Sequence, residues 1–436
     1  MVKKQVKLKK ELSIWQTTFA GIGIILGAGI YVLIGSAAGM AGSALWISFL
    51  LAAFVAAFTG LSYAEFASLY SKDEGEYIYA EKSFSKRIGF LVVWLVFFEG
   101  VVSAAAVALG FGGYFVNLFS NIFSLPVFLV ALVLVIILSL INYYGIEQSS
   151  WLNMFCTSIE TLGLLFIIFI GIPKIGSVNL LEMPNGFSGV STAAALIFFA
   201  FIGFEAIIKL SEETKSAKKV IPKALVISII ITTIIYILVA ISAVSLLDYK
   251  VLGESKAPMA DVAASVFGSK AFLALSIIAL FSTGNTVLLL LVTTSRLTYG
   301  MGNEYKSLKF LSKIHETRRT PWIAILLVML FTAVFTLFKD ITLVASITDF
   351  TIYGTFITVN AALIFSRYKY PKLKRSFKSP INIGKFPVLA FLGIISSFFM
   401  LFHLDSKVVI GGIILTIIGY GLYSLVCRKK SSKQTS

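Results

Sequence analysis

The feature that most constrains this chain is a succession of apolar runs, each close to the roughly 20 residues an α-helix needs to cross a bilayer. Twelve follow one another, at residues 14–38, 44–69, 88–115, 125–144, 151–173, 191–210, 224–247, 271–299, 321–338, 341–367, 387–403 and 407–427. In hydrocarbon each backbone N–H and C=O must be satisfied inside the segment, so runs of this length fold as helices. Composition agrees, since 58% of the 436 residues are hydrophobic and only 13% charged, against about 45–50% and 25% in soluble domains. The fold class is an all-α integral membrane protein with 12 transmembrane helices. A soluble enzyme, a disordered chain and a secreted disulfide scaffold are excluded.

A net charge of +16 would suit a nucleic-acid binder. Here, however, the Lys and Arg sit between apolar runs, as the positive-inside bias of cytoplasmic loops requires. With the N-terminus inside, of the 37 Lys and Arg only Lys174, Lys250, Lys256, Lys270, Lys339 and Lys407 fall outside. One missed helix would scramble that asymmetry, so it supports an even number of spans with both termini cytoplasmic. No nucleic-acid partner is expected. The Lys-rich start, with Gly35-Ser36-Ala37-Ala38 after the first run, mimics a secretory signal. The run is too long for a signal and leads into a multispanning chain, so it reads as a retained helix. Cys156 lies inside one run and Cys427 at the end of another, a pattern that gives no disulfide. The short tails and loops leave any activity to the space between helices.

An active site in the bilayer would need a nucleophile with its base, or a metal with its ligands. The chain has only His315 and His403, neither accompanied by a ligand-spaced cluster, so no enzyme activity, metal or cofactor is expected. The first run instead carries Gly21, Gly23, Gly27, Gly29, Gly35 and Gly39. Glycine costs about 1 kcal/mol relative to alanine inside a helix, so Gly27-Ala28-Gly29-Ile30 is a candidate break. Close helix packing through Gly23 and Gly27 is the alternative. The sixth run carries a second mid-span glycine, in Phe201-Ile202-Gly203-Phe204-Glu205. Interrupted helices at corresponding places in two halves point to a transporter site built from inverted repeats. The first and sixth runs correspond if each repeat holds five helices. A half-helix N-terminus offers N–H groups to a carboxylate, and an unwound stretch offers carbonyls to an ammonium group. Such a site suits a zwitterion.

Several ordered motifs then resemble one family. Gly27-Ala28-Gly29-Ile30-Tyr31, Leu61-Ser62-Tyr63-Ala64-Glu65 with Gly75-Glu76-Tyr77-Ile78-Tyr79, and Phe199-Ala200-Phe201-Ile202-Gly203-Phe204-Glu205 come first. Ser211-Glu212-Glu213-Thr214, Ile221-Pro222-Lys223-Ala224, Ser295 to Met301 and Arg319-Thr320-Pro321 continue the series. Together they resemble the amino acid, polyamine and organocation (APC) transporters over nearly the full length. The resemblance implies a leucine-transporter-like 5+5 inverted repeat plus two C-terminal helices. Its divisions would be a tail at 1–13, repeats at 14–173 and 174–367, the last two helices within 368–427, and a tail at 428–436. It further implies that a substrate carboxylate meets the backbone near Ala28, Gly29 and Ile30, beside Gly27. The amino group would meet carbonyls near Ala200, Phe201 and Gly203, with Phe204 flanking the site.

An ionisable residue inside a span is a functional hypothesis by default, because a charge at the bilayer centre costs at least about 2.5–3.5 kcal/mol. Glu65, Asp349 and Glu205 read as structural or gating groups, Glu205 by anchoring the unwound stretch of the sixth run. Glu99, with Trp94 before it and Gly113-Tyr114-Phe115 after it, resembles the third helix of the branch that includes cationic amino acid transporters, where it would orient water or an amine. Glu160 is a departure. Phe155 to Leu162 resembles a fifth-helix frame in which many sodium-independent members carry lysine in place of a sodium ion, and here glutamate stands there. A carboxyl desolvated between helices can exchange a proton within the physiological range, which makes Glu160 the expected proton-coupling group. A permanently protonated or paired structural acid is the alternative. Ser282, Thr283 and Thr286 supply oxygens of the kind a hard cation uses, so a sodium site or a gating role stands beside it.

The expected activity is secondary transport of amino acids, neutral or cationic, by alternating access, with H+ as coupling ion and a multi-pass place in the plasma membrane. Sodium-coupled symport and amino acid or amine exchange are the alternatives within the class. A transport-dead nutrient sensor or a channel is the alternative outside it.

Overall fold

The computed structural model describes residues 12–70, 75–122, 124–145, 150–212 and 214–427. The two tails beyond these limits and Glu213 of the fourth motif lie outside the described residues. The helices in chain order are α1 (Ile14–Ile25), α2 (Gly29–Ala41), α3 (Leu45–Leu69), α4 (Glu76–Ser83), α5 (Lys86–Leu118), α6 (Val127–Tyr144), α7 (Ser150–Gly171) and α8 (Gly186–Ile197). After two 3-10 segments, Phe198–Phe201 and Phe204–Glu212, come α9 (Ala217–Leu246), α10 (Tyr249–Glu254), α11 (Pro258–Phe267) and α12 (Ser269–Glu304). The chain continues through α13 (Trp322–Thr336), α14 (Ile341–Lys369), a small hairpin of β1 (Asn382–Ile383) and β2 (Phe386–Pro387), α15 (Val388–Phe402) and α16 (Ser406–Cys427).

The ends of these helices follow from local chemistry. Ser13 and Gln16 form a capping box at the start of α1, which satisfies two otherwise orphaned N–H groups. The Asp340 carboxylate accepts from Thr342 and Leu343 N–H at 2.9 and 3.2 Å to start α14. Gly145 ends α6 in the left-handed region at φ +73°, which costs glycine nothing.

Nine helical stretches among the described residues are long and apolar enough to cross a membrane, and Ile14–Ile25, Pro258–Phe267, Trp322–Thr336 and Val388–Phe402 are shorter apolar helices. Three of the short ones fall inside runs that the sequence assigns as spans. The reasons differ, because the first run is divided between two helices, whereas the other two extend only into caps and turns.

The core is built on α5, which packs on α6, α12, α13, α14 and α16, and on α3, which packs on α8, α9 and α15. Of the apolar stretch in α5, 72% is buried, against 22% in α6 and 17% in α16, so those two form the outer, lipid-facing wall. At the end where α3 finishes, the fully buried Glu65 accepts from Arg367 Nε at 2.9 Å and Nη2 at 2.5 Å. Arg375 Nε pairs with Glu65 Oε1 at 2.9 Å and Ser379 N–H donates to Oε2 at 2.8 Å. One carboxylate thus ties together α3, α14 and the loop that leads from α14 to the hairpin.

At the opposite end α10 and α11 close over α2. A Cβ on Gly35 would stand 2.6 Å from Leu252 O, and one on Gly39 would stand 3.3 Å from Gly253 Cα. The Tyr114 hydroxyl of α5 donates to Tyr31 O at 2.8 Å and accepts from Met259 N–H at 3.2 Å.

Candidate functional site

The first apolar run is interrupted where the sequence expects it. α1 ends at Ile25 and α2 begins at Gly29, so Leu26, Gly27 and Ala28 form the break. The cap residue Ala28 supplies no side-chain hydrogen bond, and the first N–H groups of a helix have no partner within it. The end of α2 at Gly29 and Ile30 therefore presents backbone donors and the positive end of the helix dipole.

The sixth run is interrupted as well. α8 tightens into the 3-10 segment Phe198–Phe201, and Gly203 turns the chain at φ +116°, a conformation open to glycine and strained for other residues. Glu205 Oε2 accepts from Gly203 N–H at 3.1 Å, holding the turn in place.

The two breaks face each other. A Cβ on Gly29 would stand 2.7 Å from Ala200 Cα, and one on Gly203 would stand 3.0 Å from Ile24 O. Glycine at both positions lets main chain meet main chain. Tyr236 of α9 joins them, its hydroxyl lying 2.8 Å from both Ile25 O and Ala200 O. One hydroxyl proton serves one carbonyl at a time, so the other keeps its acceptor capacity.

α7 and α12 flank the break in the first run. Thr157 Cγ2 lies 2.6 Å from where a Gly23 Cβ would stand, and Thr286 Oγ1 lies 3.8 Å from the corresponding point at Gly27. Tyr31 of α2 donates to the Glu160 backbone carbonyl at 2.6 Å. The Glu160 side chain is 4% exposed, and its Oε1 has no hydrogen-bond partner among the described residues. Ser282 Oγ stands beside it, short of a well-formed hydrogen bond and likewise unpartnered. Thr283 Oγ1 is committed to its own helix, donating to Ala279 O at 2.6 Å.

Two of the expected site residues lie on the α3 and α14 side. The Phe204 ring packs at 5.8 Å on Tyr63 and 5.4 Å on Phe356, on the α3 and α14 side of the break. Glu99 is half-buried on α5 and acts on Tyr63 and on Asp349 of α14. The Tyr63 hydroxyl, buried and unpartnered, lies in the field of Glu76, Glu205 and Glu99. Sequence reasoning missed Tyr236, Tyr31 and Tyr114. The available signal was a phenol inside an apolar run, since a buried tyrosine hydroxyl normally finds a partner.

An all-helical bundle with two opposed helix breaks at its centre is the architecture of a membrane carrier. The model of the amino acid permease family matches residues 12–423, and this chain belongs to that family. It is a transporter and not an enzyme. Among its relatives, the branched-chain amino acid permease BcaP of Bacillus subtilis is 30% identical over 442 residues, covering 97% of this chain and 94% of the relative. The methylthioribose transporter of the same organism is 27% identical, covering 98% and 95%. Cationic amino acid transporter 4 of Mus musculus is 30% identical, covering 77% of this chain and 56% of its own length.

Proposed function

We propose that this chain is a secondary active transporter of amino acids, neutral or cationic, working by alternating access and coupled to protons through Glu160. The observation that carries this is the opposed pair of breaks. α2 aims N–H donors into the same space where the carbonyls of Ile25 and Ala200 share one Tyr236 proton. A zwitterion needs both faces, the donors for its carboxylate and the acceptors for its ammonium group. Relatives named as a branched-chain amino acid permease and a cationic amino acid transporter support that substrate class. Gly27, Ala28, Gly29 and Ile30 would hold the carboxylate, with Ala200, Phe201 and Gly203 on the amine and Glu205 fixing the turn. Phe204 and Glu99 would act from the α3 and α14 side.

Twelve crossings in two inverted five-helix repeats, with two further helices, agree with breaks in the first and sixth runs. The sided distribution of Lys and Arg supports a plasma-membrane protein with both termini cytoplasmic. The closed end at α10 and α11 is then the outer end. At the other end, α1 packs chiefly on α9 and the Phe204–Glu212 segment, with Trp15 and Phe19 63% and 69% exposed. One gate shut while the other half is loosely covered is the asymmetry alternating access requires.

The buried Glu160 carboxyl, whose Oε1 has no hydrogen-bond partner among the described residues, sits on a helix flanking the break, where a bound proton and a bound substrate can influence each other. Sodium is the second assignment, favoured by the unpartnered Ser282 hydroxyl beside that carboxyl and by the taste of hard cations for such oxygens. The test is uptake of labelled amino acids by purified protein in liposomes, under an inside-alkaline gradient, with and without sodium. Accumulation that needs the pH gradient, ignores sodium and disappears in Glu160→Gln is the expected result. A Glu160→Gln protein that keeps full gradient-driven accumulation removes the coupling role. Counterflow of labelled against unlabelled substrate separates a carrier from a channel or a transport-dead sensor.

A further inference from the structure

The loop between α12 and α13 carries a short 3-10 helix, Lys306–Ser312, that belongs to no span. Side chains three apart eclipse each other in such a helix, so Leu308 and Leu311 share one edge. That edge packs inward. Leu308 joins Phe90 of α5, Met301 of α12 and Val426 of α16, and Leu311 is 5% exposed, its Cβ 3.0 Å from where a Gly302 Cβ would stand. Ser307 Oγ donates to Val426 O at 2.7 Å, and Tyr305 packs edge-on against Phe90 at 5.1 Å. The short helix is thereby pinned at the level where α12 and α16 end and α5 begins. The end of α6 is joined to the same loop by Thr320 Oγ1, which donates to Tyr143 O at 2.9 Å. The ends of spanning helices mark the surface of the bilayer.

The opposite edge is uncovered among the described residues. Lys306, Lys309 and Lys313 are exposed, as are Phe310 at 48% and Ile314 at 49%. Among the described residues none of the three ammonium groups is in an ion pair or over an aromatic ring, unlike Arg318, whose guanidinium lies over Tyr144 at 4.3 Å. The acids nearest in the chain, Glu304 and Glu316, are exposed beyond either end. Between them stand three lysines and no carboxylate.

Unpaired ammonium groups around two apolar side chains, held at the level of the bilayer surface, fit one occupant. Apolar side chains of an interfacial segment dip below the lipid headgroups while its lysines stay in the polar layer, and anionic lipids attract such lysines. A second copy of this chain would instead bring two sets of like charges together, which repel. We propose that the surface formed by Lys306, Lys309, Phe310, Lys313 and Ile314 is a docking site for anionic phospholipid, with the three lysines on the phosphates and the two apolar side chains among the upper acyl chains. The contact fastens to the membrane surface the end of α12, the helix that brings Thr286 beside Gly27. It does not depend on the transport reading, because the span ends alone set its level. In the proposed orientation the leaflet is the cytoplasmic one.

The test uses the purified full-length protein with Cys156→Ser, Cys427→Ser and Ile314→Cys, carrying a fluorophore on the new thiol. It is reconstituted in phosphatidylcholine vesicles doped with either phosphatidylglycerol or phosphatidylcholine bearing a spin label in the upper acyl chain. The expected result is quenching by both lipids, about twofold or more stronger for phosphatidylglycerol. That difference should vanish when Lys306→Gln, Lys309→Gln and Lys313→Gln are added, and in high salt. Fluorescence quenched by neither lipid overturns the proposal and leaves the surface to a soluble partner. Equal quenching by the two overturns it as well, reducing the contact to burial of apolar side chains without selection of charge. A difference that survives the triple substitution assigns the preference to other cations and removes the site. If the triple variant does not elute as a monodisperse protein, the salt dependence decides, and a preference unchanged in high salt overturns the proposal.

Discussion

Tyr236 has one proton and two carbonyl acceptors at equal distance, one on each broken helix. Its hydroxyl sets the separation of the two main-chain segments that would receive an ammonium group. Tyr236→Phe keeps the ring, which packs on Phe49 and Phe201 at 5.5 and 5.2 Å, and removes only the hydroxyl. A neutral hydrogen bond contributes a net 0.5–1.5 kcal/mol or so, so the KM for uptake should rise between about twofold and about tenfold, with little change in the midpoint of thermal unfolding. Uptake kinetics beside an unfolding curve check this. A collapse of the unfolding midpoint with unchanged KM would make Tyr236 a packing residue. Gly29 is the other residue on which the crossing depends, because any side chain there would meet the Ala200 main chain.

Among the elements, the contact of α3 with α14 and the hairpin loop has the highest electrostatic stake. Glu65 stands between two largely buried guanidinium groups in that contact. Removing one partner of a buried ion pair costs on the order of 3–5 kcal/mol, because the remaining charge is left without compensation. Glu65→Gln should therefore lower the unfolding midpoint strongly and reduce the yield of folded protein, as thermal unfolding in detergent would report. A Glu65→Gln protein as stable as the parent would show that Arg367 and Arg375 find other acceptors. The helix breaks were legible in the sequence because glycine in the middle of an apolar run is a local signal, at Gly27 and Gly29 and again at Gly203, there with Glu205 two residues on. Glu160 was legible for the same reason, as a charge where the run is otherwise apolar. Tyr114 and Tyr236 announced a need for hydrogen-bond partners without saying which carbonyls would meet it. The runs at 321–338 and 387–403 exceed α13 and α15 by three and two residues, which serve as caps and turns.

For the whole molecule, the proposed orientation makes a direct prediction. Lys256 is exposed beside α11 and Glu316 is exposed in the loop before α13, on opposite faces of the proposed topology. In a background with Cys156→Ser and Cys427→Ser, a membrane-impermeant maleimide added to intact cells should label Lys256→Cys and leave Glu316→Cys unlabelled until the membrane is opened. Labelling of Glu316→Cys alone in intact cells would invert the topology.

The closure of α10 and α11 over α2 bears on how such a carrier could be blocked. The seal at Gly35, Gly39 and Gly253 is made of backbone laid on backbone, so in the proposed orientation the outer face of this closed state would offer a compound few side chains to grip at the seal. An inhibitor applied from outside would have to wait for the lid to lift and would trap the opposite state. Its potency would then depend on how often the carrier turns over, and a drug designed on the shut surface would be aimed at a door without a handle.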